Sequence, residues 1–187
     1  MKISIRKAEL TDSQAILNIA ESMVLEEMKD ISDAESKGFL VSHFTKEEYE
    51  HYSETADYFF VAEENNNIIG FLLAYSSENI QEPETVNKLL QKDLVEPFVL
   101  IKQIAVKDGH TNKGIATRLY KKLFSLVSDR GFAAAIVTEP YNEKSISFHK
   151  RNEFHHLCDI MPPPDPDGVI RAREIWYRCR KGKENER

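Results

Sequence analysis

Apolar positions along the chain recur at two periods, and the switches between them predict the elements. Residues 3–8, ISIRKA, alternate apolar and polar and predict a strand. The following stretch LTDSQAILNIAESMVLEEM predicts a helix: Ile16, Ile19, Ala20, Met23 and Val24 recur at helical spacing, and Thr11 with Gln14 has capping-box spacing. Residues 29–57 are polar and acidic, with a short helix expected over residues 45–53. In YFFVAEENNNIIGFLLAYS two apolar runs flank Asn65, Asn66 and Asn67, which predicts a β-hairpin.

Residues 77–97 form a polar connection in which PETVNKLLQKDL predicts a helix, and FVLIKQIAV then reads as a buried strand. A helix opening at Gly114 carries its apolar face on Ile115, Ala116, Leu119, Leu123, Phe124 and Val127, with Gly131 expected as the left-handed residue that closes it. FAAAIVTEP is a second buried strand. Asn142 is a good N-cap for a helix through EKSISFHKRN. The strand FHHLCDI, the loop MPPPDPDG and the strand REIWYRCR follow, with a charged tail at 181–187 expected to fray. The order β-α-α-β-β-insert-β-α-β-α-β-β predicts an α/β protein. Its single mixed sheet is partly antiparallel and flanked by helices, with a βαβ crossover at the centre. Neither a repeat nor a linker divides the 187 residues, so residues 1–180 are expected to be one domain.

Composition adds exclusions more than identity. With 41% hydrophobic and 30% charged residues the chain has the make-up of an ordinary globular protein. It has no run of 18 apolar residues, so no membrane-spanning helix is expected. The start MKISIRKAEL lacks the apolar core of a signal peptide, which points to the cytoplasm. Cys158 and Cys179 have no CxxC or CxxH spacing, so no metal site is expected, and both are expected to be buried thiols.

Charge placement is more telling than the net charge of −6. Residues 1–100 hold 8 basic and 20 acidic side chains, whereas residues 101–122 hold six basic ones (Lys102, Lys107, Lys113, Arg118, Lys121, Lys122) against Asp108 alone. A basic patch of this size inside an acidic chain suits a small anionic ligand better than a nucleic acid, whose footprint is broader. A solvated helix face accounts equally for Lys121 and Lys122.

The patch surrounds AVKDGHTNKGIATRLYKKLF, where an apolar strand passes through a polar turn into a helix. A helix that starts there presents unpaired N–H groups and the positive end of its dipole, and a glycine at its start lets an anion approach the backbone. TNKGIA lacks the GxxxxGK[ST] of a Walker A loop and the further glycines of a dinucleotide fingerprint. On its residues alone it is either an anion site or a tight turn.

TNKGIA also resembles the acyl-CoA pyrophosphate loop of the GNAT superfamily of N-acetyltransferases, whose pattern is (Gln/Arg)-x-x-Gly-x-(Gly/Ala). Thr111, Asn112, Lys113, Gly114, Ile115 and Ala116 fill the six positions, with Gly114 and Ala116 matching and Thr111 departing from Gln/Arg. NEKSISFHKRNEF is similar to the family's late helix through Asn142, Phe148 and Phe154, and the element order agrees over residues 3–180. The resemblance implies a GNAT-like fold with a central βαβ acyl-CoA-binding unit and acetyl-CoA as co-substrate. Its expected cofactor-binding residues are Ile104, Ala105, Val106, Thr111 to Thr117 (Asn112, Lys113, Gly114, Ile115 and Ala116 included), Asn142 and Phe148, with no metal.

The activity implied is transfer of an acetyl group to a primary amine by direct attack. This needs a neutral amine, a stabilised oxyanion and a proton for the departing thiolate. His149 stands where the family commonly has a proton-donating tyrosine, and a neutral imidazole can donate through a ring N–H; a helix-surface histidine is the plain alternative. The strand positions where relatives often carry a base hold Leu100 and Lys102, so Glu139, at the end of its strand, becomes the candidate base, with Glu96, Glu63 and bulk water behind it. Eleven acidic residues in 21–57, among them Glu26, Glu27, Asp30, Asp33, Glu47 and Glu48, suggest a small cationic amine acceptor, and MPPPDPDG is placed to cover the same side. A peptide or protein acceptor and a non-catalytic acyl-CoA-binding module are the alternatives. No nucleic-acid or membrane partner is expected, and the C-terminal hairpin offers an exposed strand that would support a homodimer.

Overall fold

The computed structural model describes residues 3–24, 38–80, 89–92, 94, 97–164 and 168–180. Its strands are β1 (Ser4–Lys7), β2 (Tyr58–Glu64), β3 (Asn67–Ser76), β4 (Phe98–Val106), β5 (Gly131–Val137), β6 (His155–Ile160) and β7 (Arg173–Arg178). Its named helices are α1 (Ser13–Glu21), α2 (Lys46–Thr55), α3 (Ile115–Leu126) and α4 (Glu143–Arg151), with short 3-10 turns at Leu10–Asp12 and Ser77–Asn79. The strands form one seven-stranded sheet in the order β1-β2-β3-β4-β5-β7-β6, the mixed and largely antiparallel α/β architecture expected. β4 and β5 are a parallel pair, matched from Phe98↔Gly131 to Leu100↔Ala133, and α3 makes the crossover between them. Both strands continue past the last of those pairs.

Contacts divide the chain into two compact units. The first holds β1, α1, α2, β2, β3 as far as Ala74, β4 from Lys102, and α3. Asn65 (φ 50°) and Asn66 (φ 61°) turn the β2–β3 hairpin, both in the left-handed region that Asn tolerates and a two-residue hairpin turn requires. The core of this unit sets Ile16, Ile19 and Ala20 of α1 and Tyr49 of α2 against Phe59, Val61, Phe71 and Leu73 of the hairpin. Helix α2 begins one residue later than the expected range. Thr45 caps it by accepting from the Glu48 N–H, while Glu48 Oε2 accepts from the Thr45 N–H.

The start of α1 differs from the spacing-based expectation. Thr11 is exposed, and Asp12, three residues after Glu9, accepts from the Glu9 N–H at 2.9 Å. Arg6 on β1 explains the choice: its guanidinium reaches Asp12 through Nη1 at 2.6 Å and Nη2 at 2.8 Å, and Glu63 through Nε at 2.8 Å. Only Asp12, buried beside that cation, can join strand and helix in this way.

The second unit holds Tyr75, β4 up to Ile101, β5, α4, β6 and β7. β7 lies between β5 and β6 and is antiparallel to both, registering Ala134↔Trp176 on one side and His156↔Trp176 on the other. Tyr75, Ile80, Leu90, Phe98, Leu100, Ala133 and Ile175 form its core. Gly131 does not close α3, which ends at Leu126 with the β-branched Val127 extended. Gly131 instead opens β5, where an added Cβ would lie 2.9 Å from the Arg178 carbonyl and would overlap the Tyr177 hydroxyl, so packing demands glycine. Cys158 and Cys179 are free thiols but only half-buried, because β6 is an edge strand and Cys179 follows the end of β7. Of the expected PETVNKLLQKDL helix, residues 89–92 are helical, Leu94 is not, and residues 83–88 and 93 lie outside the described residues, as do Glu26, Glu27, Asp30, Asp33, Glu96, part of MPPPDPDG and the 181–187 tail. No described helix is long and apolar enough to cross a membrane.

Burial alone would push the Asp12 carboxyl up, but the Arg6 guanidinium and the Glu9 N–H outweigh it and hold the group below the usual carboxylate range. A carboxylate with a depressed folded-state pKa contributes stability above its unfolded value, about 3.9, and loses it as the pH falls through the folded value. Arg6→Met strands the Asp12 carboxylate and should cost about 1–3 kcal/mol at pH 7 in denaturant titrations. The deficit should shrink as the pH is lowered through 4, where protonation relieves the unpaired charge.

Candidate active site

In the first unit the turn from β4 into α3 is built to keep its backbone accessible. Ala105 and Ile115 are buried while residues 107–109 and 112–114 are exposed, so the apolar ends anchor a polar arch. The Lys107 N–H donates to the Ile69 carbonyl at 2.9 Å, and the His110 N–H donates back to the Lys107 carbonyl at 3.0 Å. The His110 ring sits 3.6 Å from Glu64 at the end of β2. Asn112 (φ 62°) and Gly114 (φ 74°) are both left-handed, and around Gly114 nothing lies within 4 Å of where a Cβ would be. Glycine is therefore required there by conformation and not by crowding.

The first intrahelical bond of α3 is Arg118 N–H to Gly114 C=O at 3.0 Å. The N–H groups of Ile115, Ala116 and Thr117 precede any intrahelical acceptor, so they point outward along the helix axis. Twelve aligned peptides place the positive end of the α3 dipole at the same spot, with exposed Lys113 and Arg118 adding charge. The arrangement suits a polyanion held by backbone donors. Thr111, half-buried, offers a hydroxyl where a longer cationic side chain would reach further.

Beside this turn β4 carries a polar relay that its apolar sequence conceals. Tyr49, fully buried on α2, donates its hydroxyl to Gln103 Oε1 at 2.9 Å, and Gln103 Nε2 donates to the Ser42 carbonyl at 3.0 Å. Burial pushes the Tyr49 phenol pKa up, so the hydroxyl keeps its proton and fixes which way the Gln103 amide faces. Lys102, on the opposite face of β4, places its ammonium 5.6 Å from the centre of the Phe44 ring.

In the second unit Asn142 and His149 are buried, while Phe148 is half-buried. Asn142 caps α4 by accepting from the Ser145 N–H at 3.2 Å, and its Nδ2 donates to the Phe39 carbonyl at 3.2 Å. His149 is not a surface residue: it is 3% exposed, edge-on to Phe148 and Phe154 at ring distances of 5.6 and 5.0 Å. Its Nδ1 lies 2.7 Å from the Ser145 carbonyl, which can only accept, so Nδ1 carries the proton of the neutral ring and Nε2 is the acceptor nitrogen. Burial lowers the His149 pKa to about 4, against a smaller opposing effect of the Ser145 bond. The free ring N–H expected of a proton donor is thus already engaged.

Glu139 is exposed in the turn after β5. Glu63 is paired with Arg6, and Leu100 belongs to the apolar core. Among the described residues, no three His, Cys, Asp or Glu side chains cluster to hold a metal. The close contact at Gly70 and the side-chain bonding of Gln103 with Tyr49 escaped the sequence reading, which placed Gln103 only as the start of the backbone stretch Gln103–Val106. Their signals were a lone glycine inside an apolar strand and a lone glutamine within FVLIKQIAV.

A histidine that stays neutral when folded takes up protons more readily once unfolded, so it costs stability as the pH falls from about 6.5 toward 4. His149→Phe should therefore lose less stability than the wild-type chain over that window. In NMR titrations the wild-type His149 ring should show no protonation above pH 5.

Comparison with known proteins bears on what this site serves. The profile of the acetyltransferase (GNAT) family matches residues 25–154, more than half of the chain. Among solved structures, Arabidopsis thaliana NAA60 in complex with a bisubstrate analogue superposes with a TM-score of 0.71 at 15% identity, covering 97% of this chain and 99% of that one. The ribosomal-protein-S18-alanine N-acetyltransferase of Escherichia coli gives 0.66 at 12% identity over 100% and 99%. The PaiA N-acetyltransferase of Thermoplasma acidophilum in complex with coenzyme A gives 0.64 at 15% over 96% and 99%. At these identities the likeness is one of fold. No curated protein sequence matches the chain significantly. From the profile match over most of its length, and a fold shared with solved N-acetyltransferases, the chain belongs to the acetyltransferase (GNAT) family.

Proposed function

We propose that the protein transfers the acetyl group of acetyl-CoA to a small cationic amine by direct attack, with no acyl-enzyme. The observation that carries this reading is the turn into α3, where left-handed Asn112 and Gly114 lead into a helix start with unpaired N–H groups and open space before it. Those features fit a pyrophosphate, with Thr111, Asn112, Lys113, Gly114, Ile115, Ala116 and Thr117 holding it through backbone donors and the lysine. The backbone of Ile104, Ala105 and Val106 would hold the pantetheine arm. Bound there, acetyl-CoA supplies the acetyl group as an activated thioester.

The chain's own contribution is to position the donor and manage protons. A peptide N–H of β4 is the candidate to face the carbonyl oxygen as it gains charge. Glu139, open to solvent at the end of β5, is the candidate to take the amine proton directly or through water. His149 we assign to holding α4 against Phe154, with the thiolate taking its proton from solvent. Asn142 shares that structural role, and Phe148 remains a candidate cofactor contact. Exposed Glu47, Glu48 and Glu54 on α2 support a cationic acceptor. A peptide amino terminus is the second reading, favoured by the likeness to a ribosomal-protein-S18-alanine N-acetyltransferase.

The test is a thermal titration with acetyl-CoA and free CoA against ATP and NADH controls. Ligand at 100 times its Kd stabilises by about 2.7 kcal/mol, a shift of several degrees at this size. A shift with acetyl-CoA and CoA alone is expected, followed by thiol release with spermidine and little with an alanine-initiated peptide. The reverse acceptor order would transfer the assignment to peptides. No shift with acetyl-CoA would overturn the cofactor site, and binding without thiol release to any amine would make the protein an acyl-CoA-binding module.

A further inference from the structure

Gly70 lies in the middle of β3, remote in sequence from every residue assigned to the cofactor. Its φ is not left-handed, so conformation does not explain the glycine. Space does. A Cβ there would sit 2.9 Å from the Ala105 carbonyl oxygen, 3.3 Å from Ile115 Cγ2 and 3.4 Å from Val106 Cγ2. The first contact is closer than real Cβ atoms come and involves backbone, which cannot rotate away.

These neighbours are not an arbitrary part of the core. Ala105 and Val106 end β4, and Ile115 is the first residue of α3, 2% exposed and packed under the turn. The β2–β3 register places a second device at the same point. Ala62 pairs with Gly70 and Glu63 with Ile68, so Ile69 is an extra residue, a bulge in β3. The Ile69 carbonyl accepts from the Lys107 N–H at 2.9 Å, where β4 gives way to the loop. Bulge and glycine together let β3 take hold of the loop's first residue on one side and admit the helix's first side chain on the other.

We infer that Gly70 is a positioning residue for the acetyl-CoA site: the absence of a side chain there sets where β4 ends and where α3 begins. This rests on the reading of the turn as the cofactor's phosphate site. Gly70→Ala must displace the Ala105 carbonyl, the Ile115 side chain or both, and thereby tilt the N–H groups of the first turn of α3. Donors held by backbone geometry have no side-chain torsion with which to recover.

The experiment measures the Kd of acetyl-CoA by calorimetry, with melting temperatures, for the wild-type chain, Gly70→Ala, Ile115→Ala and Ile175→Val. The last loosens the core of the other unit without touching the turn. Displacement on the ångström scale predicts acetyl-CoA binding about tenfold weaker or worse in Gly70→Ala. Ile115→Ala should weaken it in the same direction, and Ile175→Val should bind within about twofold of wild type however its melting temperature moves. Gly70→Ala binding as wild type overturns the inference, and so does an equal loss in Ile175→Val, which would mark general loosening. If Gly70→Ala does not fold, Ile115→Ala decides: weakened binding supports the role of this contact and unchanged binding removes it. A wild-type chain that fails to bind acetyl-CoA overturns the phosphate-site reading itself, and Gly70's role with it.

Discussion

A backbone N–H can serve a ligand only if the chain leaves it unpaired, and burying an unpaired donor is costly. The first turn of α3 answers both conditions: its donors are orphaned by helix geometry, and residues 112–114 just before them are exposed. The rest of the first unit supports that compromise. Ile115 is driven into the core so that the helix start cannot drift, while the residues before it stay polar and exposed. Lysine and arginine gather here in a chain that is otherwise acidic, which supplies long-range attraction without disturbing backbone geometry.

Buried amides do comparable work elsewhere. Gln103 and Asn142 each use both ends of a carboxamide: Gln103 accepts from the Tyr49 hydroxyl and donates to the Ser42 carbonyl, and Asn142 accepts from the Ser145 N–H and donates to the Phe39 carbonyl. Each is satisfied inside an apolar setting, and a satisfied polar group of this kind enforces one arrangement where an aliphatic side chain would tolerate several. Tyr49 adds direction, since a hydroxyl that keeps its proton dictates the Gln103 amide orientation.

Much of this was legible in the sequence because it rests on local rules. The hairpin at Asn65–Asn66, the Asn142 cap, the order of elements and the glycine opening α3 all follow from residue chemistry within a few positions. What escaped reading depends on tertiary surroundings that local spacing rules do not name. The 3-10 turn before α1 is held by Asp12, whose carboxylate takes both the Glu9 N–H and the Arg6 guanidinium, and Gly131 is fixed by Tyr177 and Arg178. The state of His149 follows from its burial edge-on to Phe148 and Phe154, while the Ser145 carbonyl fixes only its tautomer, and no spacing rule anticipates either. Gly70 is intermediate: a glycine inside a strand signals a close approach without saying to what.

The place of β7 in the sheet has a consequence for how the protein is made. β5 pairs with β7 along Phe132 to Val137, and β6 reaches the sheet only through β7. On the ribosome, β5 and β6 are therefore synthesised before the strand that joins them, and both wait as open edges until residues 173–178 emerge. The polar, charged outer positions of β6, His155, His156 and Asp159, are suited to that interval, since they discourage premature pairing with another chain. The sheet is thus completed only after β5 and β6 have both been made, in an order set by the position of β7.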